Sequence, residues 1–273
     1  MKRRLLALTL AGMMALSLAA CGQSGTTTPS SNGGSSSEES SLTYAVEAGS
    51  AGEAMAQEKG FQYNSVASQA DALMEVASGT SDAAIIDLLM AGAMIGEGTS
   101  YPDLVFTEEL NSEEYGVGCR KDSDLTDYIN NFLSECYADG SMEEIATTYG
   151  VQAALIEQPA AEEFVPAEDG DVAYIRDKGT LIVGITEYAP MDYKDDNGNW
   201  IGFDADMAKK LAEKLGVEVE FVVIDWDNKI MELDSKNIDV VWNGMTLTDE
   251  VTSSMNCTRG YCKNAQVIVM PGE

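Results

Sequence analysis

The sequence predicts an α/β fold with largely parallel sheets, and two observations lead to this class. Short apolar segments typical of strands alternate with segments of helical period along residues 42–270, as in repeated strand–helix–strand units. Glycine and polar residues mark the ends of these segments. The folded body of about 230 residues is long enough for one large domain or for two lobes, each with its own core.

The boundaries of the elements follow from where each pattern begins and ends. In the first half we expect strands at 42–47, 83–86, 104–106 and 115–119, a helix opening at 48–53, a helix at 69–77, and two helices in 123–149 with a break at 139–140. In the second half we expect strands at 180–185, 217–224, 238–241 and 265–270, a turn at 194–199, and helices at 203–215 and 226–235. Residues 151–171, rich in Ala, Glu and Pro, indicate a connecting loop.

The helix at 203–215 has the clearest pattern. Its apolar residues recur at helical spacing and Gly216 follows as a C-terminal signal; they are Phe203, Met207, Leu211 and Leu215.

The first twenty residues have the pattern of an export signal, with three cations ahead of an apolar stretch too short to span a bilayer. The stretch ends in Leu18-Ala-Ala-Cys21, which resembles the lipobox of bacterial lipoproteins. We therefore expect residues 1–20 to be removed, Cys21 to be lipidated, and residues 21–41, rich in Gly, Ser, Thr and Pro, to form a flexible linker. The protein would then be anchored outside the cytoplasmic membrane by its lipid. The alternative is an ordinary secretory signal with a chance cysteine.

The charge and the missing histidines exclude several classes of function. The chain carries 46 acidic and 16 basic residues, a net charge of −30, and no basic stripe for nucleic acid or for anionic lipid. It has no histidine, so histidine-based triads and histidine metal sites are excluded. We expect no metal and no cofactor.

Four cysteines remain besides Cys21, and an extracytoplasmic location permits disulfides between them. They are Cys119, Cys136, Cys257 and Cys262. We expect at least one bridge; three pairings stay open, and Cys257 and Cys262 are the closest in sequence. No CxxC motif is present, which argues against a zinc or redox site.

Several motifs resemble the amino-acid-type (family 3) extracellular solute-binding proteins of ABC importers. Residues 180–191, 197–208 (with Gly-Phe-Asp-Ala-Asp at 202–206), 211–217 and 239–248 resemble the family's first lobe, here lobe 1. Residues 48–53 and 81–87 resemble its second lobe, here lobe 2, and residues 114–150 resemble its C-terminal segment. The resemblance implies a two-lobed, periplasmic-binding-protein-like (type II) fold with a ligand cleft between the lobes.

The order of these motifs differs from that of the family, because the middle and last parts precede the first. The chain therefore looks circularly permuted, which compact domains tolerate at exposed connections. We expect lobe 2 at 42–108 and lobe 1 at 112–270, with residues 151–171 as the joining loop. A misassembled reading frame is the alternative.

The resemblance also implies a set of ligand-binding residues. It gives Asp87 for a ligand ammonium, Ser50 and Ala51 at a helix N-terminus for a carboxylate, the rings of Tyr188 and Trp226 for the side chain, and hydrogen bonds from Asn243, Gly244 and Thr246. An unpaired Asp87 at the end of a buried strand would be costly, which favours a cationic ligand group as its partner. The alternatives are helix capping by Asp87 and Ser50 and core packing of the two rings.

One position departs from the family's pattern. Val251 stands where the family typically has the arginine that clamps the ligand carboxylate, and Arg259 lies nearby in sequence. The ligand is thus an amino acid held differently, or a cationic or aromatic compound suited to the residues Trp226, Trp242, Tyr188 and Glu187.

The expected function is that of a monomeric, lipid-anchored binding protein that captures a small polar ligand, such as an amino acid, and delivers it to an ABC permease. We do not expect an enzyme. The alternatives are an enzyme like the cyclohexadienyl dehydratases, with Glu187 and Asp87 as acid and base, and a ligand-sensing module on the same fold.

Overall fold

The computed structural model describes residues 41–272, with backbone alone at residues 107 and 108. The predicted signal peptide, Cys21 and nearly all of the linker lie outside the described residues. Within residues 41–272, no helix has the length and apolar character needed to cross a membrane.

The first sheet has five strands and is flanked by short helices. Its strands run in the spatial order β2-β1-β3-β13-β4, with β1, β2 and β3 parallel and β13 antiparallel to both of its neighbours. The elements are β1 (Thr43–Glu47), α1 (Ala51–Lys59), β2 (Gln62–Val66), α2 (Gln69–Ser78), β3 (Ala83–Asp87), α3 (Leu88–Met94), β4 (Leu104–Glu109) and β13 (Gln266–Pro271).

The second sheet has six strands, in the order β11-β5-β10-β6-β9 with β12 paired to β5. Strands β9, β6 and β10 are parallel, and β5 is antiparallel to β10. The elements are β5 (Glu113–Cys119), α4 (Leu125–Ala138), α5 (Ser141–Thr148), α6 (Asp171–Lys178), β6 (Thr180–Ile185), the hairpin β7 (Tyr193–Lys194) and β8 (Trp200–Ile201), α7 (Phe203–Leu215), β9 (Glu218–Val223), α8 (Lys229–Asp234), β10 (Val240–Thr246), α9 (Asp249–Ser254), β11 (Asn256–Cys257) and β12 (Cys262–Asn264). Single 3₁₀ turns lie at Gln152–Ala154 and Trp226–Asn228.

The chain passes between the two sheets at two neighbouring places. Residues 110–112 connect β4 to β5, and Ala265 connects β12 to β13. The two passages are hydrogen-bonded to each other, since Leu110 N donates to Gln266 O at 2.8 Å and Gln266 N donates to Asn111 Oδ1 at 2.7 Å. We keep the name lobe 2 for the body on the first sheet (43–109 and 266–271) and lobe 1 for that on the second (113–264).

The α/β class predicted from the sequence is confirmed, and most predicted elements form close to the expected bounds. The strand at 180–185 and the helix at 203–215 match to the residue, and the break at Gly140 separates α4 from α5. Strand β2 and helix α6 lie in segments for which no element was predicted. The last predicted strand, assigned to lobe 1 in the range 112–270, is hydrogen-bonded between β3 and β4 in the first sheet instead.

The expected disulfide is wrong for the described residues, where all four cysteines are free. Cys257 and Cys262 both lie against β5, opposite Gly118 and Tyr115. Three residues of strand separate these positions by roughly 10 Å, whereas a disulfide needs Cα atoms within about 7 Å. Proximity in sequence therefore gives no proximity in space here.

The two chain segments of lobe 1, before and after the joining loop, are tied together by a buried ionic cluster. Asp239, fully buried, accepts from Lys178 Nζ at 2.6 Å and lies 3.5 Å from Arg120 Nη2. Arg120 also pairs with Asp171 at 3.1 Å and donates to Ile238 O at 2.8 Å. Arg120 precedes the joining loop, Asp171 is the last residue of that loop, and Lys178 and Asp239 follow it.

We expect Asp239→Asn to destabilise the protein by about 3 kcal/mol or more, because it removes the buried charge that Lys178 and Arg120 share and leaves Arg120 with Asp171 alone. Urea unfolding of the wild type and the variant measures this.

The matched control is Lys214→Met, which breaks the pair of Lys214 with Glu135 at the surface. Exposed pairs contribute about 1 kcal/mol or less, so this change should be small. Equal losses in the two variants would contradict a structural role for the buried cluster.

Candidate ligand-binding cleft

The candidate site lies at the carboxyl ends of parallel strands from both sheets, where ligands bind in open α/β folds. In lobe 2, β1 ends at Glu47 and its parallel neighbour β3 ends at Asp87. In lobe 1, the parallel pair β6 and β10 ends at Ile185 and Thr246. The residues at and after these four ends border a cleft between the lobes.

All eight residues that the sequence analysis assigned to ligand binding line this one cleft: Ser50, Ala51, Asp87, Tyr188, Trp226, Asn243, Gly244 and Thr246. The space in the cleft that the centre of a water molecule can occupy measures about 40 Å³. One ordered water needs roughly 10–15 Å³ of such space, so the cleft has room for water or small polar groups. Whether these residues bind a ligand stays a prediction.

Asp87 is not the unpaired carboxylate that the sequence analysis supposed. Its Oδ1 accepts from Asn264 Nδ2 and, at 2.7 Å, from Gln266 Nε2, while its Oδ2 accepts from Gln69 Nε2. Its side chain makes no capping hydrogen bond to α3, although it occupies the N-cap position. The sequence could not reveal these partners, two of which lie at the far end of the chain.

The same two amides also reach a second carboxylate. Glu113 Oε1 accepts from Asn264 Nδ2 at 2.6 Å, from Gln266 Nε2 at 2.7 Å and from Thr246 Oγ1 at 2.9 Å. Burial, and then the neighbouring Glu113 carboxylate, raise the pKa of Asp87 to about 8. This carboxylate–amide cluster lies beside the two passages between the lobes.

The side-chain polar atoms of Asn243 are used inside lobe 1, and whether this residue also binds a ligand stays a prediction. Its Oδ1 accepts from Thr186 N and Oγ1, and its Nδ2 donates to Thr186 O and to Asp192 Oδ2. Gly244 N donates at 2.6 Å to Asp204 Oδ2, which also accepts from Tyr261. The Gly-Phe-Asp motif thus positions the end of β10 from behind.

The two predicted aromatic residues both face the cleft. Tyr188 is 3% exposed and shares a short hydrogen bond with the Tyr115 hydroxyl, which fixes its ring. The ring of Trp226 lies 5.1 Å from the Nζ of Lys229, within range of a cation–π contact. Trp242, considered as a further ligand contact, is instead fully buried and packs against Tyr261.

The lobes approach each other most closely beside Ser50. Gly49 has φ +69°, and a Cβ there would lie 2.7 Å from the Cα of Asp227 in lobe 1. Lys229 Nζ donates to Gly49 O at 2.8 Å and to Trp226 O at 3.1 Å, and so bridges the two lobes. Ser50 Oγ caps α1 by accepting from Glu53 N, as its alternative interpretation predicted.

Sequence reasoning missed two buried charged residues that line the cleft, Glu47 and Lys229. They are 3% and 6% exposed. Burial, and then Asp87, raise the pKa of Glu47 to about 8, while burial lowers the pKa of Lys229. A charged residue at the carboxyl end of the apolar strand β1 was the available signal for Glu47. No sequence signal marked Lys229, because a lysine near the start of a helix is ordinary.

Three other positions are now placed. Val251 lines the cleft, so the family's arginine position is apolar there. Arg259 is exposed and donates to Asn130 O and Ser134 Oγ on α4 rather than facing the cleft. Glu187 is exposed and is not part of the cleft lining, so it does not pair with Asp87.

No group of histidine, cysteine or carboxylate side chains suited to a metal ion occurs within residues 41–272.

The shifted pKa of Glu47 predicts how stability depends on pH. Its folded pKa of about 8 lies above the ordinary value of 4.5, so between these values the folded state holds a proton that the unfolded chain has released. The free energy of unfolding of the ligand-free protein should therefore fall as pH rises from 5 to 8, by about 1.4 kcal/mol per pH unit for one such group.

Glu47→Gln removes this titrating group and should flatten the dependence of the free energy of unfolding on pH. Urea unfolding measures it after ligand has been stripped by denaturation and refolding. Asp87 keeps its own contribution, so some slope remains. Glu58→Gln, at an exposed position on α1, is the control and should keep the wild-type slope. Equal slopes for Glu47→Gln and wild type would contradict a buried, protonated Glu47.

The comparisons with known proteins each match a part of the chain. Residues 181–273 match the family of bacterial extracellular solute-binding proteins, family 3. The L-cystine-binding protein TcyJ of Escherichia coli K12 is 39% identical over 126 residues, which cover 45% of this chain and 47% of TcyJ.

Two further relatives match over shorter lengths. The arginine-binding extracellular protein ArtP of Bacillus subtilis is 38% identical over 93 residues, covering 34% of this chain and 36% of ArtP. Cyclohexadienyl dehydratase of Pseudomonas aeruginosa is 31% identical over 91 residues, covering 33% and 34%. The chain is thus similar to family 3 solute-binding proteins over residues 181–273 and spans half or less of the length of these relatives.

Proposed function

We propose that this protein is an extracytoplasmic solute-binding protein that captures an amino acid or a related small polar compound for an ABC permease. The observation that carries the proposal is the cleft lined by all eight predicted residues. Four of them follow the strands β1, β6 and β9, one is the last residue of β3, and three lie in the last part of β10. The family 3 match over residues 181–273 and the cystine- and arginine-binding relatives support the ligand class.

The electrostatics of the cleft favour a ligand with a cationic group. Glu47 and Asp87 form a buried acidic wall on lobe 2, and Glu250 adds an exposed carboxylate from lobe 1. Buried carboxylates are costly without a cation or a proton. A ligand ammonium that replaces the proton would therefore gain affinity from this wall.

We also propose the circularly permuted order, with lobe 2 preceding lobe 1. Two facts support it: the family match covers residues 181–273, and residues 43–109 supply four of the five strands of the first sheet and seven of the nineteen residues that line the cleft. The protein is proposed to work as a monomer without a cofactor, tethered through lipid on Cys21 and the linker to residue 41.

An enzyme of the cyclohexadienyl dehydratase type is the second candidate, favoured by the similarity to that relative. The acid–base pair first considered for it, Glu187 with Asp87, is not brought together. The buried cleft carboxylates that remain for acid–base chemistry are Glu47 and Asp87, whose raised pKa values suit proton donors. Turnover of a cyclohexadienyl acid by the purified protein would favour this candidate.

A thermal-shift screen tests binding. The ligand-stripped protein is melted with each of the twenty L-amino acids, L-cystine, L-ornithine and putrescine. A ligand at one hundred times its Kd stabilises by about 2.7 kcal/mol, and for a body of this size each kcal/mol raises Tm by roughly 2–4 °C. At least one compound should raise Tm by several degrees; if none does, the proposed function is wrong.

Trp226→Ala should weaken binding of the compound that gives the largest shift by about tenfold or more, because it removes ring contact with the ligand. Calorimetric titration measures it. Met231→Ala, on the adjacent helix but exposed, is the control and should bind like wild type. Unchanged affinity of Trp226→Ala would place its ring outside the binding surface.

Cys21→Ser tests the anchor. The variant should lose lipidation and move from the membrane fraction to the soluble extracytoplasmic fraction, while Ser24→Ala should remain in the membrane. Fractionation followed by immunoblotting measures the distribution. Retention of Cys21→Ser in membranes after a high-salt wash would contradict the lipid assignment.

A further inference from the structure

Glu47 is a buried cleft carboxylate with one oxygen that lacks a hydrogen-bond partner. Its Oε1 is buried and has no hydrogen-bond partner within residues 41–272, whereas both oxygens of Asp87 accept from amides. A buried acceptor left without a donor costs free energy. Because Glu47 lines the cleft at the end of β1, a ligand group can supply the missing donor.

Lys229 is the one cation among the described residues that line the cleft. Two of its three N–H donors are used by Gly49 O and Trp226 O. The third has no acceptor in the part of the chain that the structure describes. Since Gly49 lies two residues beyond Glu47, the ammonium of Lys229 is held close to the unpartnered carboxylate.

Glu47 and Lys229 nevertheless do not form an ion pair, as the pairs found within residues 41–272 involve other residues. Each charge feels the other, since Lys229 favours the ionised form of Glu47 and Glu47 favours the charged form of Lys229. They come from opposite lobes, Glu47 from β1 and Lys229 from α8. The cleft thus holds an acceptor and a donor of opposite charge that face a shared space.

We propose that Glu47 and Lys229 recognise the two charges of a zwitterionic ligand, with the ligand ammonium on Glu47 and the ligand carboxylate on Lys229. The ligand class is that of α-amino acids, whose ammonium and carboxylate lie on one carbon. This inference rests on the proposed function. It assigns the carboxylate to a lysine on α8 because Val251 offers no charge, and the ammonium to Glu47 because Asp87 is already hydrogen-bonded.

The surroundings of Glu47 support this assignment. It faces Asp87 on β3, Lys229 on α8, and Gln69 and Asp71 on α2. The raised pKa of Glu47 means that the ligand-free protein holds a proton there at pH 7. An ammonium that binds Glu47 lowers this pKa, so binding releases a proton to the buffer.

The test combines ligand analogues with variants, by calorimetric titration and competition at pH 7. The probes are the twenty L-amino acids, their α-amides, which lack the carboxylate, and the corresponding des-amino carboxylic acids, which lack the ammonium. Loss of one member of a buried charge pair corresponds to about 30-fold or more in affinity. In wild type, both analogues of any amino acid that binds should be weaker by at least this factor.

The variants should each erase one of these preferences. Glu47→Gln should weaken the binding of the amino acid about 30-fold and leave the affinity for the des-amino acid unchanged. Lys229→Met should also weaken the binding of the amino acid about 30-fold, and it should leave the affinity for the α-amide unchanged. Glu47→Gln should also abolish proton release, measured in buffers of different ionisation enthalpy. Glu58→Gln and Lys121→Met, both at exposed positions outside the cleft lining, are the matched controls and should keep wild-type preferences.

The outcomes separate this inference from the function on which it rests. If amino acids bind but Asp87→Asn, and not Glu47→Gln, erases the preference for an ammonium, the inference is wrong and the proposed function stands. If Lys229→Met leaves the preference for a carboxylate intact, the inference is also wrong. If no amino acid binds wild type, the proposed function and the inference fail together.

Discussion

A buried and a half-buried carboxylate that share the same amide donors hold the molecule together where the chain passes between its lobes. Asp87 belongs to lobe 2 and Glu113 to lobe 1, and the amides of Asn264 and Gln266 reach both. Removing carboxylates from water is tolerated only when hydrogen bonds or protons compensate. Since Asn264 and Gln266 flank Ala265, one of the passages itself carries the donors, and the relative position of the lobes depends on this cluster.

The cleft follows from the same constraint. With Asp87 held by amides, the end of β3 is fixed, and the adjacent end of β1 places Glu47 in the remaining space. Lys229 then reaches across to Gly49 O instead of forming an ion pair with Glu47. The chain as a whole has an excess of acidic residues, and the cleft shares it: Lys229 is the one basic residue among its lining residues, beside the carboxylates of Glu47, Asp87 and Glu250.

Local pattern sufficed to predict most of the elements, because helix α7 and strand β6 carry their signals in adjacent residues. The eight residues that the family resemblance supplied line one cleft because all lie at or just beyond strand ends: four follow a strand, Asp87 ends β3, and the other three lie in the last part of β10. It failed where the deciding partner lies far away in sequence: Asp87 meets Gln266, which is 179 residues distant. For the same reason the proximity of Cys257 and Cys262 in sequence gave no bridge, as their separation is set by β5 and not by the four residues between them.

The contact at Gly49 has a consequence for how such a protein changes over evolutionary time. There the main chain of lobe 2 meets the main chain of Asp227 with no room for a side chain. The fit of the lobes at this point therefore depends on the main chain and on the Lys229 ammonium at Gly49 O, while the character of the cleft is set by other side chains such as Trp226, Glu250 and Val251. In the proposed binding protein, substitutions at those three positions would change which ligand fits and leave the contact between the lobes as it is.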